Sequence, residues 1–134
     1  MISIDLARRL RDRGMAWRPA DGDRFFIPDR DLDDQTFSIS DMVVTVRTVS
    51  HGRQIAFNGA VEWALDAIMQ REVVWLPSET QLRRMLGDRF VSLERSDGAY
   101  RCVARIGSTT SGFVADSASD AYGLAVLAGI EHGA

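Results

Sequence analysis

Two short turns, each set between runs of β-forming residues, constrain this chain more than any other feature of its sequence. Ser50-His51-Gly52-Arg53 follows the valine-rich run from Met42 to Val49 and precedes a second run ending near Phe57. Ser96-Asp97-Gly98 separates a run from Arg89 to Arg95 from another, Ala99 to Ile106. A connection this short joins antiparallel neighbours, because a parallel crossover needs a dozen or more residues. Each turn therefore predicts a hairpin.

Helix signals stand between these β-runs. Ser3 predicts the cap of a first helix with Ile4, Leu6, Ala7 and Leu10 on one face and Gly14 as the stop. Arg8, Arg9, Arg11 and Arg13 fall mostly off that face, as a solvated surface does; an anion-binding stripe is the lesser reading. From Trp17 to Pro28 the sequence predicts two short extended pieces around a turn, with Pro19 and Pro28 placing them at an edge or outside a sheet. Asp29 to Asp34 is a loop, and Phe37 and Ile39 then alternate with polar residues. Asn58 is positioned to cap a helix from Gly59 to about Gln70, which sets Val61, Ala64, Leu65 and Ile68 on one face. Glu62 and Asp66 follow Asn58 at i, i+4 spacing, and Trp63 falls nearly opposite the apolar stripe. Val73 to Leu76 is a short buried strand stopped by Pro77, and Ser78 with Gln81 forms a capping box for a helix with Leu82, Met85 and Leu86 inward. A strand from Thr109 to Ala115 follows across Gly107-Ser108, and Ser117 caps a final helix from Ala118 to about Glu131. With no regular βαβ alternation, the pattern predicts an α+β fold: a mainly antiparallel sheet of hairpins with about four helices in a single compact domain, residues 1–134.

Composition excludes several functions. A net charge of −3 is too mild to make nucleic acid the default partner. No apolar run approaches a membrane span, the N-terminus shows no secretory signal, and the lone Cys102 rules out an internal disulfide, so the cytoplasm is the expected compartment. All sixteen basic residues are arginine. A P-loop needs its lysine at the phosphates and a Schiff-base enzyme needs an amine nucleophile; this chain has no lysine for either.

Candidate chemistry is sparse. The acidic loop Asp29-Arg30-Asp31-Leu32-Asp33-Asp34 imitates the start of an EF-hand, but its sixth position is Asp34 instead of glycine and its twelfth is Ser40 instead of glutamate. His51 and His132 lack zinc-site spacing, and Cys102 reads as a small buried hydrophobe in a strand. Gly107 to Gly112 is rich in hydroxyls but reads as a connection between strands, with no nucleophile elbow. The Asn58, Glu62, Asp66 stripe is the best catalytic candidate, as a general base or a divalent-metal face, set against a solvated surface with Asn58 as a cap. No metal site or cofactor is assigned.

Several stretches carry a resemblance. Trp17-Arg18-Pro19 precedes Gly22-Asp23-Arg24-Phe25 and Ile39-Ser40-Asp41-Met42. Phe57-Asn58-Gly59, Glu62-Trp63-Ala64-Leu65-Asp66 and Trp75-Leu76-Pro77 come after them. This arrangement resembles a set of short, uncharacterised bacterial and phage-encoded proteins over nearly the whole chain, some of which carry a pilus-assembly label. The resemblance implies a bacterial domain and carries over no catalytic residue.

The expected function is that of a small cytoplasmic binding or accessory protein, recognising a protein partner or its own copy. Its candidate binding residues are Trp17, Arg24, Asn58, Glu62, Trp63 and Asp66, because tryptophan and arginine favour interface hot spots. A hydrolase using Glu62 and Asp66, with or without a metal, is the alternative; nucleic-acid binding through the arginines of the first helix ranks third.

Overall fold

The computed structural model describes residues 1–20, 22–28, 36–38, 42–49, 52–59, 67–69 and 73–133. In chain order the elements are α1 (Ile4–Asp12), β1 (Arg24–Phe26), β2 (Thr36–Ser38), β3 (Met42–Val49), β4 (Gly52–Gly59), β5 (Ala67–Met69), β6 (Val74–Leu76), α2 (Glu79–Leu86), β7 (Phe90–Ser96), β8 (Ala99–Ile106), β9 (Thr109–Ala115) and α3 (Ala118–Gly133). A 3-10 turn, Gly87–Arg89, joins α2 to β7. The class is α+β with antiparallel pairing, as the turns required. Two compact units make up the chain: Met1–Ala16 with Leu76–Ala134, and Trp17–Trp75, which lies between those segments in sequence.

The first unit is built around α3. Ser117 Oγ accepts the Asp120 N–H at 3.1 Å to start this helix. Its residues are small or apolar on nearly all sides, and a helix of that kind must be enclosed. It packs against α1, α2, β8 and β9, burying Ala121, Tyr122, Ala125, Val126 and Leu127. The sheet beside it has the order β7-β8-β9. Its first hairpin turns at Asp97 and Gly98, with φ of 52° and 78°, positive values that asparagine-like and glycine residues tolerate. Cys102 and Ala104 of β8 are fully buried.

Caps fix the other two helices. Ser3 Oγ accepts the Leu6 N–H, and the Ser3 N–H donates to Asp120 Oδ1 at 2.8 Å, tying the start of α1 to the first turn of α3. Gly123 lets these two helices approach: a Cβ there would sit 2.7 Å from Leu6 Cδ2 and 3.2 Å from Ile2 Cδ1. The Ser78–Gln81 capping box closes the start of α2 with bonds of 3.2 and 2.8 Å. Arg89 closes its other end, donating to the carbonyls of Met85 (3.0 Å) and Leu86 (3.3 Å). These would otherwise be orphan acceptors.

The second unit holds two three-stranded sheets, β2-β1-β6 and β3-β4-β5. β3 and β4 pair residue for residue from Met42↔Gly59 to Val49↔Gly52. The expected helix does not run from Gly59 to Gln70: Gly59 closes β4, and Ala67–Met69 is the strand β5, with Ile55 opposite Ile68, while residues 60–66 lie outside the described residues. The described residues therefore hold three α-helices where the sequence suggested about four. Apolar residues at helical spacing do not by themselves exclude a short strand, and here the ladder with β4 wins over local periodicity. A second correction concerns β1, which lies centrally in its sheet although the prolines pointed to an edge. Pro19 and Pro28 both fall outside the strand, so neither removes a ladder donor from it.

Gly123→Val should wedge α1 from α3. Equilibrium urea denaturation is expected to show a loss of about 1–3 kcal/mol, the usual cost of overpacking a closed contact.

Candidate functional site

The outward face of α2 is set by its inward one. Leu82 and Leu86 are buried, which turns Glu79 and Arg83, and Thr80 and Arg84, outward in i, i+4 pairs. These four residues, with Gly87, Phe90 of β7 and Tyr122 of α3, line an open groove of about 570 Å³. The Arg83 guanidinium stands 4.6 Å from the centre of the Phe90 ring, and Phe90 meets Tyr122 at 5.9 Å with the rings inclined by 43°. Among the described residues neither Arg83 nor Arg84 has a carboxylate at ion-pair distance. Both stand in the last turn of α2, where the helix dipole favours positive charge.

Tyr122 gives the groove a buried wall. Burial holds its phenol above the ordinary tyrosine range, with Arg83 opposing that shift and Cys102 and Glu79 adding to it. The groove thus presents two cations and a neutral phenol around an aromatic floor. Glu79 is its one carboxylate, and no histidine or thiol lines it. Such a set holds an anionic group beside an apolar one; it supplies no nucleophile and base in contact.

The residues singled out in the sequence fall elsewhere. Trp17 is 6% exposed and belongs to the interior of the second unit. Its ring lies near-parallel to Trp75 (6.3 Å, 12°) and tilted on Phe25 (5.9 Å), and its Nε1 donates to the buried Asp23 carboxylate at 2.9 Å. The Ala20 N–H donates to the same oxygen at 3.1 Å. An indole held this way is a core residue, not one presented to a partner. Arg24 is exposed on β1, opposite Ser38 of β2. Asn58 lies inside the β3–β4 ladder opposite Val43, so it caps no helix. Glu62, Trp63 and Asp66 lie outside the described residues, as do His51 and the acidic loop from Asp29 to Asp34.

Cys102 sits in β8 with no exposed surface, and burial pushes its thiol from 9.0 up to about 11. Gly107-Ser108 turns β8 into β9, as the sequence indicated. Among the described residues no group of three metal-ligating side chains assembles, and no helix is long and apolar enough to cross a membrane. No protein-family profile, curated protein or solved structure matches this chain.

Sequence reasoning missed the groove, although half its signal was visible. Once Leu82, Met85 and Leu86 are set inward, the remaining positions of α2 carry adjacent arginines. Phe90 and Tyr122 come from two other elements, and only the tertiary fold brings them to α2.

Trp17→Phe removes the indole donor of buried Asp23 and should cost about 1–3 kcal/mol. Trp75→Phe should cost less in the same denaturant titration, because the buried Trp75 Nε1 has no hydrogen-bond partner among the described residues. Native Cys102, with no exposed surface, should resist iodoacetamide at neutral pH, and its thiol should be half ionised only at about 11, against 9.0 in the unfolded chain. The same shift contributes stability below 9.0 that is lost as pH rises through about 11, because the unfolded thiol gives up its proton first.

Proposed function

We propose that this chain is a binding protein whose α2 groove takes a short segment of a protein partner, one carrying a carboxylate beside an apolar or aromatic side chain. The observation that carries this reading is the pair of guanidiniums, Arg83 and Arg84, without carboxylate partners among the described residues and beside the Phe90–Tyr122 floor. Arginine binds carboxylates with two parallel donors and stacks on aromatic faces, so one residue type serves both halves of such a ligand. The groove is cationic on a chain of net charge −3, which favours an acidic ligand locally without making the whole surface adhesive to polyanions. A reducing compartment such as the cytoplasm fits the buried free thiol of Cys102.

Peptide selection tests the reading. A random display library is panned on the immobilised wild-type chain and, in parallel, on the Arg83→Gln/Arg84→Gln variant. Both arginines are exposed, so the variant should keep its melting temperature to within the small change typical of surface substitutions. Wild type is expected to enrich peptides with an acidic residue next to an aromatic or aliphatic one, binding the variant at least tenfold more weakly. Equal enrichment on both proteins, or a consensus without acidic residues, would falsify the assignment.

A further inference from the structure

The groove along α2 carries charge of both signs, and the two are kept apart. Glu79 opens the helix and lines the groove at its start; Arg83 and Arg84 line it one turn further on. Glu79 and Arg83 stand at i, i+4 with the carboxylate first, the order in which helix ion pairs form best. Among the described residues, however, Glu79 has no cation at ion-pair distance. The Arg83 guanidinium lies instead over the Phe90 ring, 4.6 Å from its centre. Glu79 belongs to the first turn and the arginines to the last, so the helix dipole favours each charge where it stands. Glu79 and Arg83 act on the Tyr122 phenol with opposite sign, which sets both near the aromatic floor.

This layout narrows the occupant. A ligand that is only acidic matches the arginines and leaves Glu79 unanswered. A ligand that also carries a cation answers both. The spacing says how far apart its charges stand. Four residues of helix rise about 6 Å, and two residues of extended chain span about 6.6 Å. Successive side chains of an extended segment point to opposite sides. Residues i and i+2 of such a segment therefore meet Glu79 and the arginines on α2. Residue i+1 turns the other way, toward Phe90 and Tyr122 on the remaining wall.

We infer that Glu79 is a specificity-determining residue of the groove, which takes a three-residue run of a protein partner: a basic side chain, an apolar or aromatic one, then an acidic one. The inference rests on the reading of the α2 groove as a binding site for an acidic and apolar segment, and adds the cation to it. Glu79 is exposed, so it contributes selection more than affinity. A second acidic residue in place of the basic one meets Glu79 as a like charge and is rejected.

Isothermal titration calorimetry on the full chain at low ionic strength, where exposed charges are least screened, tests it. The probes are capped synthetic peptides with Lys-Phe-Asp at the centre, in both chain orders. Each is paired with versions in which glutamine or glutamate replaces the lysine. The tighter lysine peptide is expected to bind the wild type about threefold to fivefold better than its glutamine version, with the glutamate version weakest. Glu79→Gln, a substitution at an exposed position, should keep the melting temperature and remove the preference for lysine over glutamine. Equal binding of the lysine and glutamine versions to the wild type, with both weakened in Arg83→Gln/Arg84→Gln, overturns this inference and leaves the groove reading standing. A lysine preference that persists in Glu79→Gln also overturns it. Absence of binding by every peptide, or binding indifferent to the arginine variant, overturns the groove reading and this inference with it.

Discussion

Enclosure of α3 is the constraint on which the first unit depends. A helix apolar on nearly every side cannot lie on a surface, so it needs cover from more than one direction. α1 and α2 supply part of that cover, and the β8–β9 hairpin supplies the rest. Glycine makes the arrangement close enough to work. Gly123 accepts Leu6 and Ile2 of the α1 segment, and Gly129 accepts the Arg89 guanidinium that also closes the end of α2. The outward turn of Arg83 and Arg84 is a consequence, since burying Leu82 and Leu86 against the interior leaves them no other direction.

What could be read from the sequence was what depends on neighbours along the chain. Ser3, Ser78 and Ser117 cap helices because a hydroxyl reaches an N–H three residues on, whatever the rest of the molecule does. Asp97-Gly98 makes a hairpin because two positive φ angles suit those residues. β9 runs over Thr109–Ala115, the strand expected across the Gly107-Ser108 connection. The failure at Gly59–Gln70 has the opposite cause. Val61, Ala64, Leu65 and Ile68 share a helical face on paper, but Ala67–Met69 has β4 beside it, and cross-strand partners are invisible to local spacing.

The site was less legible than the fold. Trp17 drew attention as a tryptophan beside a turn, and only the positions of Asp23, Phe25 and Trp75 around it reveal a core residue. Tyr122 drew no attention in the sequence, inside a helix rich in alanine and leucine, yet it lines the groove. Polar groups satisfied or left open by distant elements distinguish binding residues from structural ones. That information is three-dimensional by nature.

The bond between Ser3 and Asp120 spans 117 positions of the chain, and it has a consequence for birth at the ribosome. α1, with its apolar stripe of Leu6, Ala7 and Leu10, is made well before α3, the helix it packs against. At about 5–20 residues per second, the nascent chain spends roughly 6–23 seconds with that apolar stripe unclaimed by its native partner. Closing so long a loop also costs chain entropy that a local helix pair does not lose.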